Sequence, residues 1–517
     1  MLQNNMRASF LSFLLLFFCS SLFSAKAASV YIGALVNTES RVGREQKVAI
    51  EIAGRRYNSS SSSSLLLRVS EFSSSADPLE IYTKAQDLMN WGAEAIIGAG
   101  TWPEVAILAR LGSTARIPVI SLATTPTPSP PMPFLVRMSY PNSGEARCLS
   151  DVVRSYKWRR VIVLYEDDIY GGGSISGVLL PTLSDALRAG GSRIDYHVAF
   201  PPWHTVSSSS DDDDAADTVR QKLKHIPPQL SKVFIVLGSS PELAVHLFKE
   251  AKLLGMMTKG HVWIVTDDIT SLLDSSDLSP SFVSSYMQGA IGIGSYVNTT
   301  TSFFRDFSWE FQQRFDQEYG TKGRRQPGMH AVRAYDAVHA LADAAAERAE
   351  NRSSIALLEG VLLGNFSGLS GSISFTREGG LPEAGRGTSA FRVLNVVGRS
   401  YRELGFWSEG YGFLEEEKGV DVLGPVFWPG GTAKTPGGWG MLRIGVPNHT
   451  TFNQFVKVEY DDSSGKVKGV TGFCINVFRE ILKHLSYELY YEFIPFVGSY
   501  DDLVNRVASQ VGTYLSS

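Results

Sequence analysis

Cysteine is nearly absent, and three residues in a chain of 517 cannot build a disulfide scaffold. Cys19 sits in the N-terminal apolar segment, which leaves Cys148 and Cys474 far apart in sequence, so packing must hold the fold. Long apolar runs are equally scarce. After "FLSFLLLFFCSSLF" (10–23), no stretch reaches the roughly 18 mostly apolar residues that a spanning helix needs. Neither sign of charge dominates, with 48 Lys and Arg against 52 Asp and Glu. There is thus no basic face to offer nucleic acid. The chain has no H-E-x-x-H, C-x-x-C, G-x-S-x-G or Walker loop, and its nine histidines are not spaced as metal ligands. No nucleophile, base and orienter fall together in a motif, so neither an enzyme nor a cofactor or metal is expected.

What is present begins with a leader. Arg7, the apolar run and Ala25-Lys26-Ala27 have the layout of a secretory signal peptide over residues 1–27, with cleavage after Ala27. Asn58, Asn298, Asn351, Asn365 and Asn448 each open an N-x-S/T triplet, as would suit a glycosylated extracellular surface. A composition of 44% apolar and 19% charged residues is ordinary for a globular chain, and the length exceeds what one core organises.

Short apolar runs then alternate with amphipathic stretches. "VYIGALV" (30–36), "LLLRVSEF" (65–72), "AEAIIGAG" (93–100) and "IPVISLA" (117–123) read as strands. Helices are expected over 43–57, 78–91 and 103–112, the last closed by Gly112. The rhythm resumes after the turn-rich "TTPTPSPPMP" (124–133), with strands at 159–167, 231–239 and 261–268 and helices around 145–156 and 241–254. Continuous β-branched runs separated by helices indicate buried parallel strands. The expected fold class is α/β, with two doubly wound lobes and a cleft between them. "GAIGIGSY" (289–296) reads as a strand closely approached by other backbone. The runs "NSSSSSS" (58–64) and "SSSSDDDD" (207–214) read as solvated loops, and the helical patterns at 304–319 and 330–348 as the completion of the second lobe. "VFWPGGTAKTPGGW" (426–439), rich in Gly and Pro, is the best domain boundary; beyond it come a strand "LRIGVP", a helix over 473–485 and a strand over 487–496.

In open α/β sheets ligands sit outside the carboxyl ends of the strands. Three such ends carry polar groups: "GAGT" ending at Thr101, "SLATT" ending at Thr124 and Thr125, and "YEDDIYGGG" with Asp168 and Tyr170. Hydroxyls and amides on the first lobe would hold a carboxylate, and acidic groups on the second would receive an ammonium. Plain helix capping by the same residues is the competing explanation.

Several stretches resemble the plant glutamate receptor-like family: "SRVGREQKVAIEIAGRRYN", "AIIGAGTWPEVAILARLGSTARIPVISLATT", "WRRVIVLYEDDIYG", "MHAVRAYDAVHALADA" and above all "PVFWPGG…PGGWGMLRIGVP". The resemblance implies an amino-terminal domain of the type I periplasmic-binding fold over 28–425, a linker over 426–441 and, over 442–517, the first segment of a type II ligand-binding domain. "GVTGFCINVFREIL" and "GSYDDLVNRV" match that segment's opening. The family's carboxylate-gripping arginine and its pore helices would follow Ser517. Gly438 departs from the basic residue usual before the junction. The family further implies other subunits of the same kind as partners, an amino acid as ligand and a plasma-membrane receptor as the whole. A free-standing secreted binding protein or decoy subunit is the alternative, and an apolar surface left over 475–496 is expected to be poorly ordered.

Overall fold

The computed structural model describes residues 29–513 apart from 61–63, 74–77, 99–101, 124–131, 139–141, 167–178, 202–211, 229, 239, 275–277, 321–325, 348–352, 377–389, 414–422, 439–441, 449–452, 461–466, 486–488 and 490. The chain divides into two compact units, the first from Met1–Pro141 and Val297–Glu383, the second from Asn142–Tyr296 and Ala384–Ser517.

In the first unit, β1 (Ser29–Asn37), β2 (Ser64–Phe72), β3 (Ala95–Gly98), β4 (Val119–Ser121) and β5 (Leu135–Arg137) form one sheet in the order β2-β1-β3-β4-β5. Every pairing in it is parallel. The runs read as strands are buried on both faces: Ile32, Ala34 and Val36 meet one core, and Leu35, Ile96 and Val119 the other. The order 2-1-3-4-5 is a doubly wound one, with its switch point between β1 and β3.

Two helices from much later in the chain complete this unit. In Ser302–Tyr319, Phe304, Phe307, Phe311 and Phe315 recur every three or four residues and form one buried stripe. Thr301 starts that helix by accepting the Phe304 amide, and Gly320 ends it in the left-handed conformation at φ 65°. The Met329–Glu347 helix buries Ala331, Ala334, Ala337, Ala340 and Ala344, whose small side chains let it pack closely on the helix Arg41–Ser60. Both patterns were expected to finish the second lobe and cross back. The crossing comes earlier, at Val297, so their apolar faces join the core of the first unit and pack on the helix Arg41–Ser60.

Asp336 lies fully buried in the middle of that alanine-rich helix. Its carboxylate accepts the Leu369 amide at 2.6 Å, the Ser370 amide at 2.9 Å and the Ser370 hydroxyl at 2.6 Å. These donors form the turn of a hairpin, β11 (Asn365–Gly368) and β12 (Gly371–Ser374). Burial pushes the Asp336 carboxyl up from its ordinary value, while the three hydrogen bonds pull the other way.

In the second unit, β6 (Arg160–Glu166), β7 (Arg193–Phe200), β8 (Val233–Leu237), β9 (Val262–Val265) and β10 (Ile291–Ser295) are parallel and run in the order β7-β6-β8-β9-β10, the same winding again. Three antiparallel strands extend this sheet beyond β10: β13 (Ala390–Val397), β14 (Ser400–Ser408) and β15 (Gly412–Phe413). The expected close approach by backbone occurs at Gly289, just before β10, where a Cβ would lie 2.2 Å from the Pro429 nitrogen; within β10 the close neighbour is a side chain, since a Cβ on Gly292 would come 2.5 Å from Thr270 Cγ2.

The segment expected to be a linker is bound to this unit. Trp428 is buried and meets Trp158 edge-on, with ring centroids 5.6 Å apart, and Tyr156 stacks on Trp158 at 4.7 Å. Buried Asn395 donates to the Phe427 carbonyl at 3.0 Å and accepts its amide at 2.9 Å. Trp158 Nε1 donates to the Pro436 carbonyl at 2.7 Å. The Gly438 carbonyl accepts from the Lys232 amide at 3.3 Å and the Ser231 hydroxyl at 3.1 Å. Gly438 has φ 69°, and a Cβ there would lie 2.7 Å from the Trp158 ring, which explains glycine at the position where a basic residue was expected.

After the clamp, β16 (Leu442–Pro447) pairs in parallel with β19 (Tyr491–Phe496), and β17 (Lys457–Tyr460) with β18 (Val467–Thr471) antiparallel. Between them the helix Phe473–His484 buries Ile475 and sets Phe478 against Tyr491, while Phe473 is 62% and Ile481 54% exposed. The apolar face expected over 475–496 is thus half used and half open.

Other departures are local. The helix Trp102–Ala115 runs through Gly112, which serves close packing on Val119 and Ile117 rather than termination. The Asn58 serine run begins as the last turn of Arg41–Ser60, and the aspartate run leads into the helix Asp212–Lys224. Strands β5, β7, β17 and β18 and the helices Leu180–Ala189 and Asp267–Asp274 were not anticipated.

Candidate functional site

Thr101, Thr124, Thr125, Asp168 and Tyr170 lie outside the described residues, as does Asn351. The strands that lead to them are described. Register sets Leu35 beside Gly98, Gly98 beside Ser121 and Ser121 beside Arg137. Thr101, Thr124 and Thr125 therefore follow strands that all end on one rim of the first sheet. Asp168 and Tyr170 follow β6, whose Glu166 ends on the corresponding rim of the second.

At the first rim, the turn after β1 is held by its own side chains. Asn37 Oδ1 accepts the amides of Glu39 at 3.1 Å and Ser40 at 3.2 Å, and Ser40 Oγ accepts the Gly43 amide at 3.0 Å. Arg44 donates to the Thr38 carbonyl at 2.7 Å. A Cβ on Gly43 would overlap the Asn37 carbonyl oxygen at 1.8 Å, so only glycine lets the helix start this close to the strand end. Sequence reasoning passed over this turn, although the Asn-Thr-Glu-Ser run ahead of a helical pattern signals it. It also passed over Arg137, which stands at the carboxyl end of β5 and brings a cation to this rim. A short apolar run enclosed by prolines could have shown that strand.

The second rim is acidic. Glu166 accepts the Ser240 amide at 2.6 Å, just where the helix Pro241–Leu253 begins, and Ser240 Oγ in turn accepts the Leu243 amide. Glu145 accepts the Asp267 amide at 3.3 Å, and Asp267 receives the Ser295 amide at 2.9 Å and hydroxyl at 2.7 Å. Glu166 and Asp267 thus fasten helix starts to strand ends and Glu145 joins two helix starts, so capping accounts for these acidic groups. The chemistry they leave at the rim is negative, which suits an ammonium better than an anion. Among the described residues no cluster of three His, Cys, Asp or Glu could hold a metal ion.

Cys148 is buried and Cys474 exposed, both as free thiols, and burial pushes the Cys148 thiol up. Neither stands at these rims.

The sequence profile of the receptor family ligand binding region matches residues 45–397, a span that covers the paired strands of both sheets from β2 to β13. Among similar proteins, glutamate receptor 2.5 of Arabidopsis thaliana is 31% identical over 460 residues, 80% of this chain and 46% of that protein. Glutamate receptor 2.2 of the same plant is 29% identical over 474 residues, 82% of this chain and 48% of that one. Glutamate receptor 2.7 is 27% identical over 494 residues, 87% and 48%. The chain spans about half the length of these relatives. With two sheets of one winding, polar groups at their carboxyl rims and a receptor profile over both, the chain belongs to the receptor-family ligand-binding-region proteins and, within them, to the plant glutamate receptor-like family.

Proposed function

We propose that this chain is the extracellular ligand-sensing and assembly portion of a glutamate receptor-like, ligand-gated cation channel, delivered through the secretory pathway to the plasma membrane. A small amino acid is its ligand. Thr101, Thr124 and Thr125 take the carboxylate, and Asp168 and Tyr170 the ammonium end. The observation that carries this reading is the repeated 2-1-3-4-5 winding, because each set of candidate residues follows strands that end on the rim where such sheets bind ligands. The cation Arg137 at the first rim and the carboxylates of the second agree with that polarity. No described helix is long and apolar enough to cross a membrane.

The test is calorimetric titration of the full chain with a panel of amino acids, repeated on Thr124→Val and Asp168→Ala. Each variant is expected to weaken binding about tenfold or more, the cost of one charge-assisted hydrogen bond. Unchanged affinity in both variants, or no saturable binding by any amino acid, would overturn the ligand assignment.

Subunit assembly is favoured by a separate observation. On the helix Pro78–Asn90, Leu79 is 65% and Tyr82 39% exposed, three residues apart and so on one face. Sedimentation should show association with other copies that Leu79→Glu weakens. A monomer at every concentration would exclude it.

A further inference from the structure

We propose that Asn298 is an N-glycosylation site of this chain and that Asn58, in an equally good triplet, stays bare. The inference rests on the secretory reading given above.

The triplet Asn298-Thr299-Thr300 forms a turn that joins its own ends. Asn298 Oδ1 accepts the Thr300 amide at 3.1 Å and the Thr300 hydroxyl at 2.7 Å. The carboxamide and the hydroxyl that define the triplet therefore lie on one side of the chain, where a single enzyme surface reaches both. The atom to be modified, Asn298 Nδ2, has no partner among the described residues, and residues 298–303 are all exposed. Thr301 anchors the next helix by accepting the Phe304 amide, so a sugar on Asn298 stands on a turn whose far end is fixed. The donor is an oligosaccharide linked through its C1 carbon to a lipid diphosphate. The Nδ2–C1 bond forms, the C1–O bond to the diphosphate breaks with its electron pair leaving on the lipid diphosphate, and one Nδ2 proton is released.

Asn58 is built for a different task. Its Nδ2 donates to the Leu65 carbonyl at 2.9 Å while its Oδ1 accepts the Leu65 amide at 2.7 Å. Such two-point pairing uses the Nδ2 hydrogen on the same side as Oδ1. A glycosylated carboxamide is a secondary amide, and its preferred trans form places the sugar carbon in that hydrogen's position. A glycan on Asn58 would therefore break the bond to Leu65 that ties the Arg41–Ser60 helix to β2, or force the disfavoured cis form. Two other triplets are also engaged. Asn365 Oδ1 accepts the Ser372 hydroxyl across the β11–β12 ladder, and Asn448 Oδ1 accepts the Tyr460 hydroxyl. Among the described triplets, only at Asn298 does the carboxamide bond to its own triplet and to nothing else described.

The experiment expresses the full chain in plant cells in two forms, one with residues 1–27 and one with an established secretory leader in their place. Both are treated with a glycan-removing amidase in heavy-oxygen water, which marks each formerly occupied asparagine as labelled aspartate. In the leader-borne chain the Asn298 peptide is expected to carry at least tenfold more label than the Asn58 peptide. Thr300→Ala should abolish the Asn298 label and Thr300→Ser should keep it. An unlabelled Asn298, or an Asn58 labelled as heavily as Asn298, would overturn the proposal. If only the leader-borne chain is labelled at Asn298, and the native chain keeps residues 1–27, the secretory reading fails while the site stands.

Discussion

In the first unit, five parallel strands and their early helices are completed by two helices that the chain supplies only after the five parallel strands of the second. In the second unit, five parallel strands of the same order gain three antiparallel strands and a clamped segment rich in tryptophan. One winding is thus finished in two ways, and the returning segment decides which. A phenylalanine stripe with helical spacing gives the first unit a roof, whereas the alternating runs at 390–397 and 400–408 give the second unit more sheet. Stability should accordingly reside in sequence-distant helices in one unit and in a strand edge with its aromatic cluster in the other.

The strongest way to break this comparison is to empty the phenylalanine stripe. Phe307→Ala or Phe311→Ala, both fully buried, should cost about 3–5 kcal/mol. Hydrogen exchange should show amides of β1 losing protection while those of β8 and β9 keep it; equal losses in both would mean that the units are not separate in stability. Trp428→Ala is the mirror experiment and should cost about 3 kcal/mol, deprotecting β10 and β13 while sparing β1. Asp336→Asn comes next. Its carboxamide turns an N–H toward donors that need an acceptor, at about 1–3 kcal/mol, read as lost protection in the β11–β12 hairpin. Gly438→Ala should cost about 1–2 kcal/mol, since it puts an L side chain at positive φ and against Trp158. A shift in Trp158 fluorescence would report it.

A separate test is a pH dependence confined to the second unit. Burial, followed by the charge of Lys232, pushes the His261 imidazole down to about 4, against an ordinary 6.5. Between those values the unfolded chain binds a proton that the native chain refuses. Stability from this group is therefore complete above about 6.5, falls as the pH drops towards about 4 and levels off below. His261→Gln should flatten that slope in denaturant midpoints measured across the window, and an unaltered slope would assign it to other groups.

Much of the fold was legible because buried parallel strands write themselves as continuous runs, such as "VYIGALV" and "VFIVL", and because their helices carry apolar faces. Short elements were not. β5 contributes three residues and β15 two, too few for any period to show, and β7 alternates with charged residues. Ownership of the 302–347 helices was also hidden, since helical spacing says that a face will be buried but not beneath which sheet. At the rims, rules about strand ends pointed to Thr101, Thr124, Thr125, Asp168 and Tyr170, all outside the described residues. The carboxylates of Glu145 and Asp267 were overlooked because their partners are backbone amides distant in sequence, which no local spacing encodes.

The hold on Gly438 also sets a length of leash. From that residue to Leu442 the chain makes four Cα steps, a reach of at most about 14 Å. The strand that opens the last segment is therefore tethered close to the second sheet, with slack of only about the radius of a small domain. A pull on β16 beyond that reach must first part the Lys232 and Ser231 bonds or unstack Trp158, so the glycine-rich stretch carries load where its composition suggests a hinge.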